Sequence, residues 1–194
     1  MIQTRRSSAT IGPARKEFLA GAADLLMLAS CGSSAGGEES ESSRRAQTIE
    51  HKYGKTEISG RSKRELSLGY QEHHAIFALG VEPVAVRYWY GDKADVIFPW
   101  DEADGAGPEI LDMPFGELNF EKIASVRPDL VLGVYSGITE KEYETLSEIA
   151  PTVVQSEEYV DFGAPWQDMT LTVGRALDRE KKAGELVADR RKEV

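Results

Sequence analysis

One cysteine, three histidines and a deficit of bases each remove a class of function from this chain. With Cys31 alone among 194 residues, neither an intrachain disulfide nor a thiolate metal cluster can form. His51, His73 and His74 are too few and too poorly spaced for most metal sites. The adjacent pair falls on a predicted helix, where neighbouring side chains are expected to point in different directions and so not to share an ion. The 23 Lys+Arg against 33 Asp+Glu give a formal net charge of −10, which argues against nucleic acid and against a polybasic membrane-binding surface. No P-loop is present, and Gly105-Ala106-Gly107 falls in a predicted loop rather than a strand-to-helix turn. Ser136 lacks the glycine two residues before it that a nucleophile elbow requires, that place being Val134. Without a nucleophile, base and oxyanion set, the chain does not read as an enzyme.

Long apolar runs are also scarce, and the one near the N-terminus is too short to span a bilayer permanently. Phe18 to Ser30 follows Arg5, Arg6, Arg15 and Lys16 and ends at Leu28-Ala29-Ser30-Cys31, the pattern of a lipoprotein signal. Residues 1–30 are therefore expected to be a cleaved signal, with Cys31 acylated and the protein held at the extracytoplasmic face of the cell membrane. A single acyl chain anchors weakly, so diacylation is the expected state. Asp24 sits within the apolar run, where a charge opposes insertion by roughly 2.5–3.5 kcal/mol. Arg15-Lys16-Glu17-Phe18-Leu19 is close to a twin-arginine motif but has lysine second, so the export route stays open. Residues 31–46, rich in Gly, Ser and Glu, are expected to form a flexible tether.

Beyond the tether the pattern alternates. Thr48 to Ile58 predicts a hairpin turning at Tyr53-Gly54-Lys55. Short strands are predicted at 64–68, 83–88, 109–111, 129–135 and 152–155, the fourth being the clearest buried run. Helices are predicted from about Gln71 to a stop at Gly80, from an Asn119 cap to Val126, from a Thr139/Glu142 capping box to Ala150, and over 165–177 and 178–194. This predicts an α/β, three-layer Rossmann-like lobe, a mainly parallel sheet with helices on both faces, preceded by a β-hairpin. The lobe proper spans 47–178. In such sheets ligands bind beyond the carboxyl ends of the strands. Gly69-Tyr70-Gln71, Arg87-Tyr88-Trp89-Tyr90, Tyr135-Ser136-Gly137 and Tyr159 to Trp166 fall there, a gathering of aromatics and one arginine suited to a large amphiphilic ligand.

The stretches RELSLGYQEHHAIFALGVEPVAVRYWYGD and GELNFEKIASVRPDLVLGVYSGITEKEYETLSEIAPTV resemble the N-terminal lobe of iron-siderophore substrate-binding lipoproteins of ABC importers, the Fe/B12 periplasmic-binding type. The resemblance covers about residues 47–190 and is most specific at NFEKIASVRPDLV. It implies a non-enzymatic receptor of two α/β lobes joined by a long helix, closing on a ferric chelate and docking on a membrane permease. It implies no resident cofactor, the ferric siderophore being the transported ligand. Residue by residue, Glu121 corresponds to the glutamate that docks against permease arginines. Tyr70, Arg87, Trp89, Tyr90, Tyr135 and Trp166 fall at loops where the family places ligand contacts. One arginine in an acidic protein favours a neutral or cationic hydroxamate chelate over a trianionic catecholate.

The departures from the family pattern shape a second reading. Residues 179–194 are expected to begin the helix to a second lobe, and with the sequence stopping at Val194 that lobe is expected to be missing and the cleft to have one wall. Glu65 stands where a central strand carries an apolar residue, an unpaired buried carboxylate being costly, and Ser59 and Ser62 stand where prolines are expected. The alternative is therefore a truncated scaffold or decoy lobe that docks without holding ligand. A third reading, a small α/β enzyme, lacks the residues for it.

Overall fold

The computed structural model describes residues 46–88, 96–98, 101 and 107–190. The predicted signal, Cys31, nearly all of the tether, and Trp89 and Tyr90 lie outside the described residues.

Alternating burial in two short runs builds the hairpin: β1 (Gln47–His51) and β2 (Gly54–Ile58) pair antiparallel, with Ile49, His51, Thr56 and Ile58 facing inward. The turn sits at Lys52-Tyr53, slightly earlier than the sequence predicts. Gly54 carries the positive φ of 113° that a hairpin bend needs, and it does so as the first residue of β2. The hairpin stays outside the main sheet and leans on it. Tyr53 Oη donates to the Ile138 carbonyl at 2.8 Å, and the Lys52 N–H donates to the Gln155 carbonyl at 3.0 Å.

Among the described residues the main sheet has five parallel strands: β3 (Glu65–Ser67), β4 (Ala85–Tyr88), β5 (Glu109–Asp112), β6 (Leu130–Gly133) and β7 (Thr152–Val154), in the order β5-β4-β3-β6-β7. All four residues of β6 are buried, as a strand covered on both faces must be. Its entry is fixed by Asp129, whose carboxylate accepts the N–H groups of Lys63 and Arg64, both at 2.9 Å.

Helices cover the two faces unequally. α1 (Glu72–Ala78), α4 (Trp166–Ala176) and α5 (Glu180–Arg190) pack Ile76, Leu79, Met169, Val173 and Ala183 against Leu130 and Leu132. On the other face α2 (Phe120–Ser125) and α3 (Glu140–Ile149) bring Ile123 and Leu146 to Leu66, Leu111 and Val131. The predicted caps form. Asn119 Oδ1 accepts the Lys122 N–H at 2.9 Å, and Thr139 and Glu142 close a capping box. Gly80, at φ 74°, ends α1. Among the described residues no helix is long and apolar enough to cross a membrane.

Glu65 requires a correction. It is buried, but it is not unpaired: Ser62 Oγ, itself buried, donates to its Oε1 at 2.8 Å. A serine at 62 thus supplies the partner that a proline would lack.

Candidate functional site

The sheet is built outward in both directions from β3, because β4 joins one side of it and β6 the other. That reversal leaves a crevice between the loop after β3 and the loop after β6, the place where open α/β sheets take their ligands. The Tyr70 N–H donates to the Tyr135 carbonyl across it at 3.1 Å.

Four rings meet above this crevice. Tyr70 stacks on Phe115 with centroids 5.2 Å apart and planes 14° from parallel, and lies 5.8 Å from Phe162. Phe162 is 6.3 Å from Phe115 and meets Tyr135 edge-on at 5.5 Å. Exposure rises outward from Tyr70 at 3% to Phe162 at 38% and Phe115 at 65%. The result is an apolar surface with a buried floor, and large apolar rings left in water mark interaction sites.

Phe162 is held at a backbone cost. Its φ of 60° lies in the left-handed region, a conformation worth roughly 1–3 kcal/mol of strain for a residue of this size. Gly137 makes room for the ring: a Cβ there would lie 2.4 Å from Phe162 Cζ. The same loop is gripped by the hairpin, where Lys52 Nζ meets Asp161 Oδ1 at 2.6 Å.

Arg87 lies under the rings rather than among them. It is 1% exposed, its guanidinium carbon sits 4.8 Å from the Tyr70 ring centroid, and its Nη2 donates to the carbonyls of Pro114 and Glu117 at 2.7 and 2.8 Å. Burial lowers its pKa from the usual arginine value. The cation therefore ties the Phe115 loop to β4 and polarises the floor, with those donor contacts already committed.

Of the residues singled out in the sequence, Tyr70, Arg87 and Tyr135 come together. Trp166, 43% exposed at the start of α4, instead lines a neighbouring groove with Gln71, His74, Ala75, Met169 and Leu186. Trp89 and Tyr90 lie outside the described residues. Glu121 is exposed in the first turn of α2, as its position after the Asn119 cap requires. Two rings were missed by sequence reasoning. Phe115 follows the carboxyl end of β5, so the strand-end rule applied to that strand reaches it. Phe162 sits inside the Tyr159 to Trp166 segment already marked.

The two adjacent histidines correct a second expectation, since their rings adjoin at 4.0 Å between centroids instead of diverging. His74 is drawn to Asp101, with Nδ1 2.9 Å from Oδ2, and it also touches Phe98. His73 is buried beside it, and burial pushes its pKa down to about 4. Among the described residues no group of three or more His, Cys, Asp or Glu side chains is placed to hold a metal ion.

Known proteins share this fold. Residues 73–194 match the periplasmic binding protein family. A Bacillus subtilis protein named as a probable siderophore-binding lipoprotein is 33% identical over 178 residues, covering 88% of this chain and 50% of that protein. A periplasmic solute binding protein of Mycobacterium smegmatis superposes with a TM-score of 0.69 at 33% identity, covering 74% of this chain and 50% of the other. Streptococcus pneumoniae PiaA, solved in complex with ferrichrome, superposes with a TM-score of 0.62 at 28% identity over 73% of this chain and 48% of its own. The chain spans about half the length of the curated relatives it matches. Its parallel sheet, its helices on both faces and this match over most of the described lobe make the chain a member of the periplasmic binding protein family.

Proposed function

We propose that this chain is a substrate-binding lobe of an ABC importer for ferric siderophores, presenting the Tyr70, Phe115, Tyr135 and Phe162 face as one wall of the ligand site. The observation that carries this reading is the cluster of packed rings, partly in water, at the crevice where the sheet reverses. The names of the relatives, one siderophore-binding and one solved with ferrichrome, support the ligand class. With the Arg87 Nη2 donor already used on carbonyls, the face suits a neutral hydroxamate chelate better than a trianionic catecholate. The work is binding and hand-over to a permease, with no catalytic step and no resident cofactor.

Titration with ferrichrome, followed by tryptophan fluorescence, tests this. Titrated by itself, this lobe supplies one wall and leaves part of the chelate in water, and each 200 Å² of contact not made forgoes about 5 kcal/mol, so weak binding is expected. Phe162→Ala should weaken it about tenfold further, since an aromatic contact of this kind is worth roughly 0.5–1.5 kcal/mol beyond its area. Equal, unsaturable responses of the parent and Phe162→Ala chains would favour a scaffold lobe that docks without ligand.

Docking is assigned to Glu121. As an exposed acid in the first turn of α2 it contributes at most about 1 kcal/mol to stability through the helix dipole. Glu121→Ala and Glu121→Gln should both lower association with the reconstituted permease by more than that, and unchanged association of both removes the assignment. Anchoring is assigned to Cys31 through a diacyl group, placing the lobe at the extracytoplasmic face of the membrane. Mass spectrometry of membrane-extracted protein should find Cys31 modified at a new N-terminus, whereas an intact Met1 would rule this out.

A further inference from the structure

Beneath the four rings the crevice is closed by a side chain that none of the foregoing uses. Glu72, the first residue of α1, is fully buried, and its carboxyl group is held by main-chain amides. The Gly69 N–H donates to Oε1 at 2.8 Å, and the Tyr135 N–H donates to Oε2 at 2.9 Å. Those two amides belong to different loops, one after β3 and one after β6. A single carboxyl group therefore spans the crevice, one oxygen on each bank.

Gly69 is fitted to it. A Cβ at that position would lie 1.6 Å from Glu72 Oε2, so any larger residue would evict the carboxyl group from its seat. What the two banks carry makes the bridge consequential. Tyr70 follows Gly69 directly, and Tyr135 is itself the second donor. Phe162 packs on both of their rings, 5.8 Å from one and 5.5 Å from the other. Phe162 thus joins the banks from above while Glu72 joins them from below.

We propose that Glu72 is a positioning residue of the ligand face: it sets the separation of the Tyr70 and Tyr135 loops and so seats Phe162 between their rings. That this face takes a ligand is the reading given above, and the role of Glu72 deepens it. A carboxyl group suits the task because it offers an acceptor to each bank, whereas an amide side chain offers one acceptor and one donor.

Amide hydrogen exchange and ring-to-ring NMR contacts test the proposal on the full chain. In the unmodified chain one opening event should free both donors, so Gly69 and Tyr135 should show the same protection within a few-fold. Protection differing by more than tenfold means that the loops open independently and overturns the proposal. In Glu72→Gln one of the two amides should lose at least tenfold in protection, and Phe162 should lose its contact with Tyr70 or Tyr135, while amides of β4 and β5 stay as they were. Unaltered protection and unaltered ring contacts in Glu72→Gln overturn it as well. Ferrichrome affinity should fall in the same variant by about tenfold. Failure of the unmodified chain to take up ferrichrome would count against the functional reading, and the exchange and ring contacts would still decide the role of Glu72.

Discussion

Between pH 4.5 and 7 the chain should lose about 3 kcal/mol of stability relative to its Glu72→Gln variant. Burial pushes the Glu72 carboxyl group up to about 7 from an ordinary 4.5, against the opposing pull of the Tyr135 and Gly69 amides. A carboxyl group whose folded pKa is raised favours the fold most when both states are protonated, below about 4.5. Its contribution is lost as the pH climbs through about 7, at about 1.4 kcal/mol per unit. The direction is opposite to that of the usual acid-labile carboxylate. His73, the next residue, works the other way: burial lowers its pKa from 6.5 to about 4, so the fold prefers it neutral and gains stability as pH rises toward 6.5. Across roughly pH 4.5 to 6.5 the two slopes nearly cancel, and the wild-type profile should be close to flat there. Glu72→Gln removes one slope and should leave the rise due to His73. Urea unfolding of both chains at stepped pH measures the difference directly, and parallel profiles would show that Glu72 does not titrate in this window.

Leu132→Ala should cost about 2–5 kcal/mol, toward the upper part of that range. Leu132 is fully buried in β6, with β3 on one side and β7 on the other, and faces the layer that holds Ile76, Leu79, Met169 and Val173. A cavity costs most where its walls cannot close on it, and the backbone here cannot move inward. The Leu132 carbonyl accepts the Leu68 N–H at 2.7 Å, and residues 131–133 are paired to β7. Chemical denaturation should therefore show a large drop in midpoint with an unchanged slope. A loss below 1 kcal/mol would mean that the helices on this face relax into the space. Leu171→Ala, partly buried at the margin of the same cluster, should cost far less and serves as the comparison.

The sequence is most readable where a local pattern and its tertiary use coincide. The β6 strand announces itself as an unbroken apolar run between Asp129 and Gly133, and α3 by a capping box whose two residues bond each other in the structure. The strand-end rule led to Tyr70, Arg87 and Tyr135 because the crossover loops of a parallel sheet all open on one side. What stayed hidden depends on where side chains turn once the backbone is set. Arg87 reads as a ligand contact from its place at the end of β4, yet packing draws it under Tyr70 and onto two carbonyls. Glu72 draws no notice in the sequence, since nothing local reveals that a loop sixty residues later brings the Tyr135 amide to it. Phe162 is concealed for a related reason: its ring packs where only a glycine at 137 leaves room, and one-dimensional spacing does not express that pairing.

The hairpin has a bearing on how copies of this chain behave together in concentrated solution. The two edge strands of an open sheet are templates on which a stray strand can polymerise. At the β7 border the hairpin occupies that template. Thr56 Oγ1 takes up the Thr152 carbonyl at 2.5 Å, and the Lys52 N–H takes up the Gln155 carbonyl at 3.0 Å. Among the described residues the opposite border is β5, four residues long with Glu109 and Asp112 at its ends. Shortness and like charge discourage a second β5 from aligning beside the first. Growth by strand addition is thereby obstructed at one border by cover and at the other by repulsion. Loss of the hairpin would thus create a sticky edge as well as a weaker lobe, and clumping from that cause would begin at β7.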